Sequence, residues 1–228
     1  KFSEISGWDF TVPGSMYSRL VAEFPVKEQR TTQEILISQD NPSQVKQEVR
    51  TTQLIAFLST DRQRTIQIGQ NSLSIHHAKP YSSWEHNFRP DIHRGYSIFT
   101  EILPETKPSR LGLRYINSIP SPDGEFSISD FFNFYPEFKN ASGLKAESIM
   151  AGNVLMFDDS QDKCRLQLTS GANPGEKSPF LLLDIDYFTA APQVIDTPAL
   201  FAWVDNAHHE VEKLFEMSIT DMTRKLFE

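Results

Sequence analysis

Hydrophobic and polar residues recur along the chain with two periods, and together they predict two similar halves. Segments that alternate at every second residue predict β-strands, and segments whose apolar residues return every three or four positions predict amphipathic helices. In each half the predicted order is strand, helix, three strands, helix, and the first half has an additional strand at 33–38 after its first helix. We therefore predict a single α+β domain over residues 1–228, built from two repeats at about 1–105 and about 109–228.

The first repeat is divided by prolines and polar turns. Pro25 is expected to end a short helix, and Pro90 is expected to mark a break or a late start in a longer one. The predicted elements are, in order, a strand at 4–12, a helix at 16–24, a strand at 33–38, a loop at 39–50, an antiparallel meander of strands at 54–58, 65–68 and 73–76, and a helix at 84–103.

The second repeat follows the same plan about 100 residues later. The apolar alternation of residues 66–68 returns at residues 166–168, and a polar hairpin tip precedes each of them. We expect the strands to join into one curved antiparallel sheet with the longer helices packed on one face, so the other face is where a site is expected. The predicted elements are a strand at 111–119, a helix at 128–135, strands at 153–157, 164–169 and 180–188, and a long helix from 197 onward.

Composition narrows the class of protein. The 39% hydrophobic content and 17 phenylalanines supply a large core and exclude global disorder. A net charge of −8 disfavours general binding to nucleic acid or to an anionic membrane. The single cysteine, Cys164, excludes a disulfide within the chain and is expected to be inert. No apolar run approaches the roughly 20 residues that cross a bilayer, and the opening KFSEISGWDF has no apolar signal-peptide core. Together with the single cysteine, which fits a reducing compartment, this predicts a cytoplasmic protein with no membrane partner.

Five segments together resemble a group of known proteins. The strand FSEISGWDF leads into VPGSMYSRLVAEFP, the central strand is RLGLRYINSI, and LLLDIDYF precedes a helix that ends in KLFEMSITD. They resemble a sporadically distributed family of uncharacterised prokaryotic proteins whose signature is the LGLRYIN strand, and the resemblance covers nearly the whole chain. The patchy distribution of that family implies mobile or defence-associated genes, such as antiphage or toxin–antitoxin-like systems. The resemblance implies no catalytic residue.

Asp184 and Asp186 form the best carboxylate pair for catalysis. Residues two apart on a strand share a face, so these carboxylates are expected about 7 Å apart, where they could hold Mg²⁺ or act as general acid and base. One hypothesis is therefore a Mg²⁺-dependent hydrolase or nuclease. The favoured alternative is that Leu183, Ile185 and Tyr187 face the helices while the acids face solvent. On that interpretation neither a cofactor nor a metal is predicted.

Arg114 and Asn117 are the polar residues that stand out in the strand at 111–119. They fall on opposite faces, and neither face is cleanly polar, which predicts a central strand buried on both sides. A buried arginine needs a carboxylate, so one hypothesis is an ion pair with Asp184 or Asp186 on a neighbouring strand. The other hypothesis is that Arg114 anchors an anion or a partner on the open face of the sheet, with Asn117 as a further candidate binding residue.

Basic residues at the two hairpin tips suggest nucleic-acid binding as a second alternative. Arg62 and Arg64 occupy the first tip, and Lys163 and Arg165 occupy the second. A curved sheet with basic tips could straddle a duplex or an RNA. The net charge disfavours this alternative, as do the acids at the same tips, which are Asp61, Asp158, Asp159 and Asp162.

Clustered aromatic residues indicate a segment that could hold a partner. Phe131, Phe132, Phe134 and Tyr135 lie within five positions, and aromatic residues are enriched among the anchors of protein interfaces. No complete catalytic constellation occurs in the sequence. The sequence therefore favours a non-enzymatic cytoplasmic binding or accessory protein that holds another protein, or a copy of itself, through the open face or these aromatic residues.

Overall fold

The computed structural model describes residues 1–3, 7–41, 44–81, 83–120, 127–135, 148–157, 161–171 and 180–227, with the side chains of 33–50 left aside. The chain divides into two compact units, Lys1–Ser109 (unit 1) and Arg110–Glu228 (unit 2). Predictions for residues 4–6, for the hairpin tip at 158–160 and for the loop at 172–179 lie outside the described residues. No helix among the described residues is both long and apolar enough to cross a membrane.

Unit 1 contains a four-stranded antiparallel sheet in the order β1-β2-β3-β4. Each strand pairs with the next along the chain, which makes the sheet a meander. Its helix α2 (Arg89–Ile102) follows a π-helical turn (Trp84–Phe88) directly, and Pro90 lies in the first turn of α2. The break or late start predicted at Pro90 corresponds to this change from π-helix to α-helix. The elements are α1 (Val12–Leu20), β1 (Val26–Asn41), β2 (Gln44–Leu58), β3 (Arg64–Gly69), β4 (Ser72–His77), a π-helical turn (Trp84–Phe88) and α2 (Arg89–Ile102).

The core of unit 1 lies on one face of this sheet. Phe57 of β2 and Ile66 of β3 are register partners. Their side chains belong to one cluster with Met16 and Leu20 of α1 and Phe99 of α2, and none of the five is more than 1% exposed. Burying a side chain of this size contributes roughly 1.5–3 kcal/mol, so this cluster holds both helices against the sheet.

The strand predicted at 4–12 is wrong over its described part. Residues 7–11 form no strand, and Val12 begins α1. The reason is a local turn, because the Asp9 carboxylate accepts hydrogen bonds from the backbone N–H of Thr11 at 2.7 Å and from its hydroxyl at 2.6 Å. An aspartate that bonds two residues ahead in this way turns the chain, and here the turn leads directly into the helix.

The loop predicted at 39–50 is also wrong. β1 continues to Asn41 and β2 begins at Gln44, so the two strands form one long hairpin. The polar composition of the segment suggested a loop, but backbone pairing between two strands does not require apolar side chains.

Unit 2 contains a second four-stranded antiparallel sheet, in the order β5-β8-β7-β6. Two antiparallel sheets combined with helices confirm the predicted α+β class. The long helix α4 packs on β8 and β5, and its N-cap is Asp196, whose carboxylate accepts a hydrogen bond from the backbone N–H of Ala199 at 2.9 Å. The elements are β5 (Gly112–Pro120), α3 (Ile128–Phe131), β6 (Met150–Met156), β7 (Asp162–Gly171), β8 (Phe180–Thr189), α4 (Thr197–Ser218) and α5 (Asp221–Arg224).

Alternation along β8 determines the two faces of the unit 2 sheet. Ile185 and Tyr187 are 0% and 1% exposed, and the Tyr187 ring contacts Trp203 of α4 with ring centroids 5.6 Å apart. Asp184 and Asp186 occupy the alternate positions and lie on the face away from α4. The apolar residues of this strand face the helix, as the favoured interpretation has them. The acids lie on the other face, but they are largely covered there rather than simply facing solvent.

The two sheets place their first strand differently. β1 pairs with β2, whereas β5 pairs with β8. The described strands form two four-stranded sheets where the sequence predicts one continuous curved sheet. The prediction that residues 111–119 form a central strand buried on both sides is wrong, because β5 lies at a sheet edge and both Arg114 and Ile116 are exposed. Periodicity identifies a strand but carries no information about its neighbours.

Candidate functional site

The face of the unit 2 sheet opposite α4 gathers residues from all four strands, and we call it the open face. Arg114 of β5 lies opposite Asp186 of β8, which in turn lies opposite Arg165 of β7. The open face includes the alternate residues Arg114, Ile116, Asp184, Asp186, Lys163, Arg165, Met150, Val154 and Met156.

Two ion pairs tie the strands of the open face together. Arg114 reaches diagonally to Asp184 and donates two hydrogen bonds, from Nε to Oδ1 at 2.8 Å and from Nη2 to Oδ2 at 2.6 Å. Arg165 donates from Nη2 to Oδ2 of Asp186 at 2.7 Å. The hydrogen bonds to Asp184 raise the pKa of Arg114. The ion pair predicted for Arg114 therefore forms, and it links β5 to β8 just as Arg165 links β7 to β8.

These bonds change what the two acids can do chemically. The side chains of Asp184 and Asp186 are 15% and 13% exposed, and each carboxylate forms an ion pair with an arginine. A guanidinium satisfies carboxylate oxygens and opposes a second positive ion at the same place. Among the described residues, no group of three or more His, Cys, Asp or Glu side chains could hold a metal ion. The geometry is that of fixed ion pairs on a sheet surface.

Large apolar side chains lie on the same face as the ion pairs, on the two edge strands β5 and β6. Ile116, beside Asp184 in the register, is 57% exposed. On β6 the exposed fractions are 84% for Met150, 61% for Val154 and 75% for Met156. The sequence analysis missed these residues, although the apolar residues at alternate positions of β6 were the available signal.

Asn117 does not accompany Arg114. It lies on the α4 side of β5, and its Nδ2 donates a hydrogen bond to the backbone oxygen of Leu183 at 3.3 Å. Its neighbour Tyr115 shares that side, with its hydroxyl 3.3 Å from Nδ1 of His208 on α4. Asn117 thus bonds to the sheet itself, and the open face contains Arg114 alone of the two predicted binding residues.

The aromatic segment is divided between core and surface. The predicted helix at 128–135 ends at Phe131, because Phe132 is extended and forms a bridge with Ile219. Phe131 and Phe132 are 6% and 0% exposed and are core residues. Phe134 and Tyr135 are half-buried. The buried pair serves to hold the C-terminal segment of unit 2, since the hydroxyl of Thr223 and the backbone of Thr220 both donate to the Phe131 carbonyl.

Arg62 and Arg64 each have an acidic partner within unit 1. Arg62 has a positive φ of 63° in the turn between β2 and β3, and it forms an ion pair with Glu28. Hydrogen bonds from Arg30 and Arg62 lower the pKa of Glu28. Arg64 points to the helix side and contacts Asp91 of α2. The two arginines therefore have different directions and do not form one basic patch at the tip.

A buried cluster in unit 1 was not identified from the sequence. The Asp91 carboxylate is 6% exposed and contacts Nη1 of Arg64 at 3.2 Å from both oxygens and Nε2 of His77 at 2.8 Å. The His77 ring also packs against Phe88, with ring centroids 4.8 Å apart. The three polar residues come from β3, β4 and the first turn of α2. The cluster fastens the end of the sheet to the helix.

Two further polar groups of unit 2 are internal. Asp162 is 7% exposed and accepts hydrogen bonds from the Tyr187 hydroxyl at 3.0 Å and from Nε1 of Trp203 at 2.9 Å. Asp162 therefore contributes to the core rather than to a charged hairpin tip.

Cys164 is 0% exposed, and burial raises the pKa of its thiol to about 12. A thiol in this state is a poor nucleophile.

The predicted site residues thus fall in separate places. Arg114 lies on the open face, Arg62 and Arg64 lie in unit 1, and Phe131 and Phe132 lie in the core of unit 2. The open face is the described surface that combines fixed polar groups with exposed apolar ones. Comparison of the chain with protein-family models, curated proteins and solved structures finds no match.

Proposed function

We propose that this chain is a non-enzymatic binding protein that holds another protein against the open face of unit 2. The observation that supports this most is the arrangement of exposed Ile116, Val154 and Met156 around ion pairs whose charges are already matched. Exposed apolar side chains beside fixed polar groups are typical of protein interfaces. The proposed setting is the cytoplasm, as an accessory subunit of a mobile or defence-associated system.

The pre-formed ion pairs reduce the cost of covering this face. An unpaired charge loses its hydration when a partner covers it, whereas a pair that already exchanges hydrogen bonds loses much less. Arg114 and Arg165 are also ordered before binding, so little side-chain entropy is lost. Their stems add apolar surface between Ile116 and Val154. An apolar protein surface suits this face better than a polyanion, because two of its three basic residues, Arg114 and Arg165, already have carboxylate partners, which leaves Lys163 as the third.

The proposal is tested by site-specific photo-crosslinking in lysate. A photo-reactive phenylalanine analogue replaces Ile116, which lies on β5, and a matched protein carries it at Val194, which is 77% exposed and outside the sheet. We expect one stoichiometric protein adduct from position 116 and none from position 194, with the adduct identified by mass spectrometry.

Charge variants at the same two positions supply the control. Ile116→Glu is expected to abolish capture of that partner, and Val194→Glu is expected to retain it, with both melting temperatures near the wild-type value. Equal adducts from positions 116 and 194, or full partner capture by Ile116→Glu, would show that the open face is not the binding surface.

A further inference from the structure

Among the described residues, β6 is an edge strand, and its own sequence lacks the charges and the proline that normally protect an edge. Within the described ranges it pairs with β7 alone. Its sequence, Met150 to Met156, contains no charged residue and no proline. Natural edge strands are usually blunted by charges, proline, bulges or coverage, because exposed backbone groups recruit another strand.

Two of the other three edge strands carry such features. β5 contains Arg114 and ends at Pro120, and β1 contains Lys27 among other charged residues. β4 also has no Lys, Arg, Asp, Glu or proline, but its His77 contacts Asp91 of α2. β6 therefore lacks the charges and the proline of β1 and β5, and it lacks the helix contact made by the end of β4.

The backbone groups of β6 that face outward follow from its register. Ser170 of β7 donates a backbone hydrogen bond to the Ile149 carbonyl at 3.0 Å. In an antiparallel ladder, pairs that exchange hydrogen bonds alternate with pairs that do not. Ile149 bonds to β7, so the backbone groups of every second residue after it, including Asn153, also face β7. The backbone groups of the residues between them face the outer edge, and these residues are Met150, Gly152, Val154 and Met156.

We propose that β6 pairs with β6 of a second copy of this chain, antiparallel and centred on Asn153. This register places Met150 opposite Met156 of the second copy and Gly152 opposite Val154. All four have outward-facing backbone groups, so about eight new hydrogen bonds form without a change in either strand. The strand is thus complementary to itself in both hydrogen bonding and charge. No charged residue of β6 opposes the pairing.

The pairing joins two unit 2 sheets into one eight-stranded sheet. Residues directly opposite one another in an antiparallel pair point to the same side, so the two open faces lie on the same side of the joined sheet. The exposed side chains of Met150 and Val154 then gain neighbours across the seam. The dimer goes beyond the proposed function and does not depend on it. A seam of this length is smaller than a standard interface, so we expect a Kd on the order of 10 µM.

Disulfide trapping tests the register directly. In the proposed pairing Asn153 faces Asn153 of the second copy across a non-hydrogen-bonded pair, where Cα atoms are about 4.5 Å apart and a disulfide can form. Asn153→Cys is therefore expected to give a covalent dimer under mild oxidation. Ala151→Cys is the matched control, since Ala151 lies about 13 Å from its own counterpart and is expected to stay monomeric.

Sedimentation analysis of the full chain measures the dimer without cross-linking. We expect the 26.1 kDa chain to approach twice its mass as concentration rises past the Kd. Val154→Pro removes an outward-facing N–H that an edge strand can spare, so it is expected to fold and to remain monomeric, whereas Val194→Lys is expected to dimerise as the wild-type chain does.

Several results would overturn the proposal. They are a monomeric wild-type chain at about ten times the expected Kd, a dimer that survives Val154→Pro, and equal cross-linking of Ala151→Cys and Asn153→Cys. Failure here leaves the adduct at position 116 unaffected, because β5 is the edge opposite β6. Failure of the adduct at position 116 likewise leaves the dimer measurement intact, so the two proposals are tested separately.

Discussion

Replacing Asp91 with alanine is expected to destabilise unit 1 more than any surface substitution on the same helix. The Asp91 carboxylate is 6% exposed and makes three polar contacts, two with Arg64 at 3.2 Å and one with His77 at 2.8 Å. Asp91→Ala removes all three contacts and leaves His77, whose side chain is 7% exposed, without its carboxylate.

The size of the effect follows from what remains after the substitution. Breaking a buried ion pair by removing one partner costs about 3–5 kcal/mol. Arg64 moderates this cost, since its side chain is 30% exposed and Glu23 lies 3.7 Å away as a second partner. We therefore expect a loss of about 2–3 kcal/mol in the free energy of unfolding. For a unit of this size the corresponding decrease in melting temperature is about 10 °C.

Urea unfolding followed by circular dichroism measures this loss, with Glu101→Ala as the control. Glu101 is on the same helix, but its side chain is 63% exposed in a surface pair with Arg19, so we expect less than about 0.5 kcal/mol. A double-mutant cycle of Asp91→Ala with His77→Leu is expected to show a coupling of about 1–2 kcal/mol. Equal losses in the free energy of unfolding for Asp91→Ala and Glu101→Ala, or additive effects in the double-mutant cycle, would show that the buried cluster around Asp91 does not stabilise unit 1.

Two other predictions concern titrating groups. The pKa of Glu28 is lowered in the folded chain, first by its hydrogen bond with Arg30 and then by that with Arg62. As pH falls below 4.5, Glu28 therefore takes up a proton in the unfolded chain before it does so in the folded chain. Glu28 therefore contributes stability above pH 4.5 that is lost on acidification. Glu28→Gln is expected to make the urea unfolding midpoint depend less steeply on pH between about pH 5 and pH 3. A pH dependence as steep as that of the wild-type chain would contradict this. Because burial raises the pKa of Cys164 to about 12, its reaction with a thiol reagent at about pH 8 is expected to be at least about 100-fold slower in the folded chain than in urea, and equal rates would contradict the buried position.

Periodicity predicted the elements better than their partners. The alternation along residues 180–188 located β8 and assigned its acids to the face away from the helix, as the structure has them. It could not predict that β5 pairs with β8 at an edge of the sheet, because neighbours are chosen by long-range packing. The polar strands at the tip of the β1–β2 hairpin were missed for a related reason, since backbone pairing maintains them whatever the hydrophobic pattern.

The candidate site was predicted in part. The ion pair of Arg114 was predicted from the cost of an unpaired buried charge, and it forms, although Arg114 is half exposed. The exposed residues of β6 and the cluster around Asp91 were missed. Asp91 and His77 are 14 positions apart in the sequence, and no local pattern indicates that the start of α2 returns to the end of β4.

The strand order of unit 2 also constrains the sequence of events during folding. The meander of unit 1 is assembled from successive hairpins, each of which can close as soon as its second strand exists. β5 instead can pair only after β8 has been synthesised. The ion pair between Arg114 and Asp184, which links the two strands, joins residues that are 70 positions apart. During synthesis β5 therefore leaves the ribosome long before its partner, and unit 1 can complete its sheet in the meantime. The rate-limiting closure of the chain is expected to be the insertion of β8 between β5 and β7.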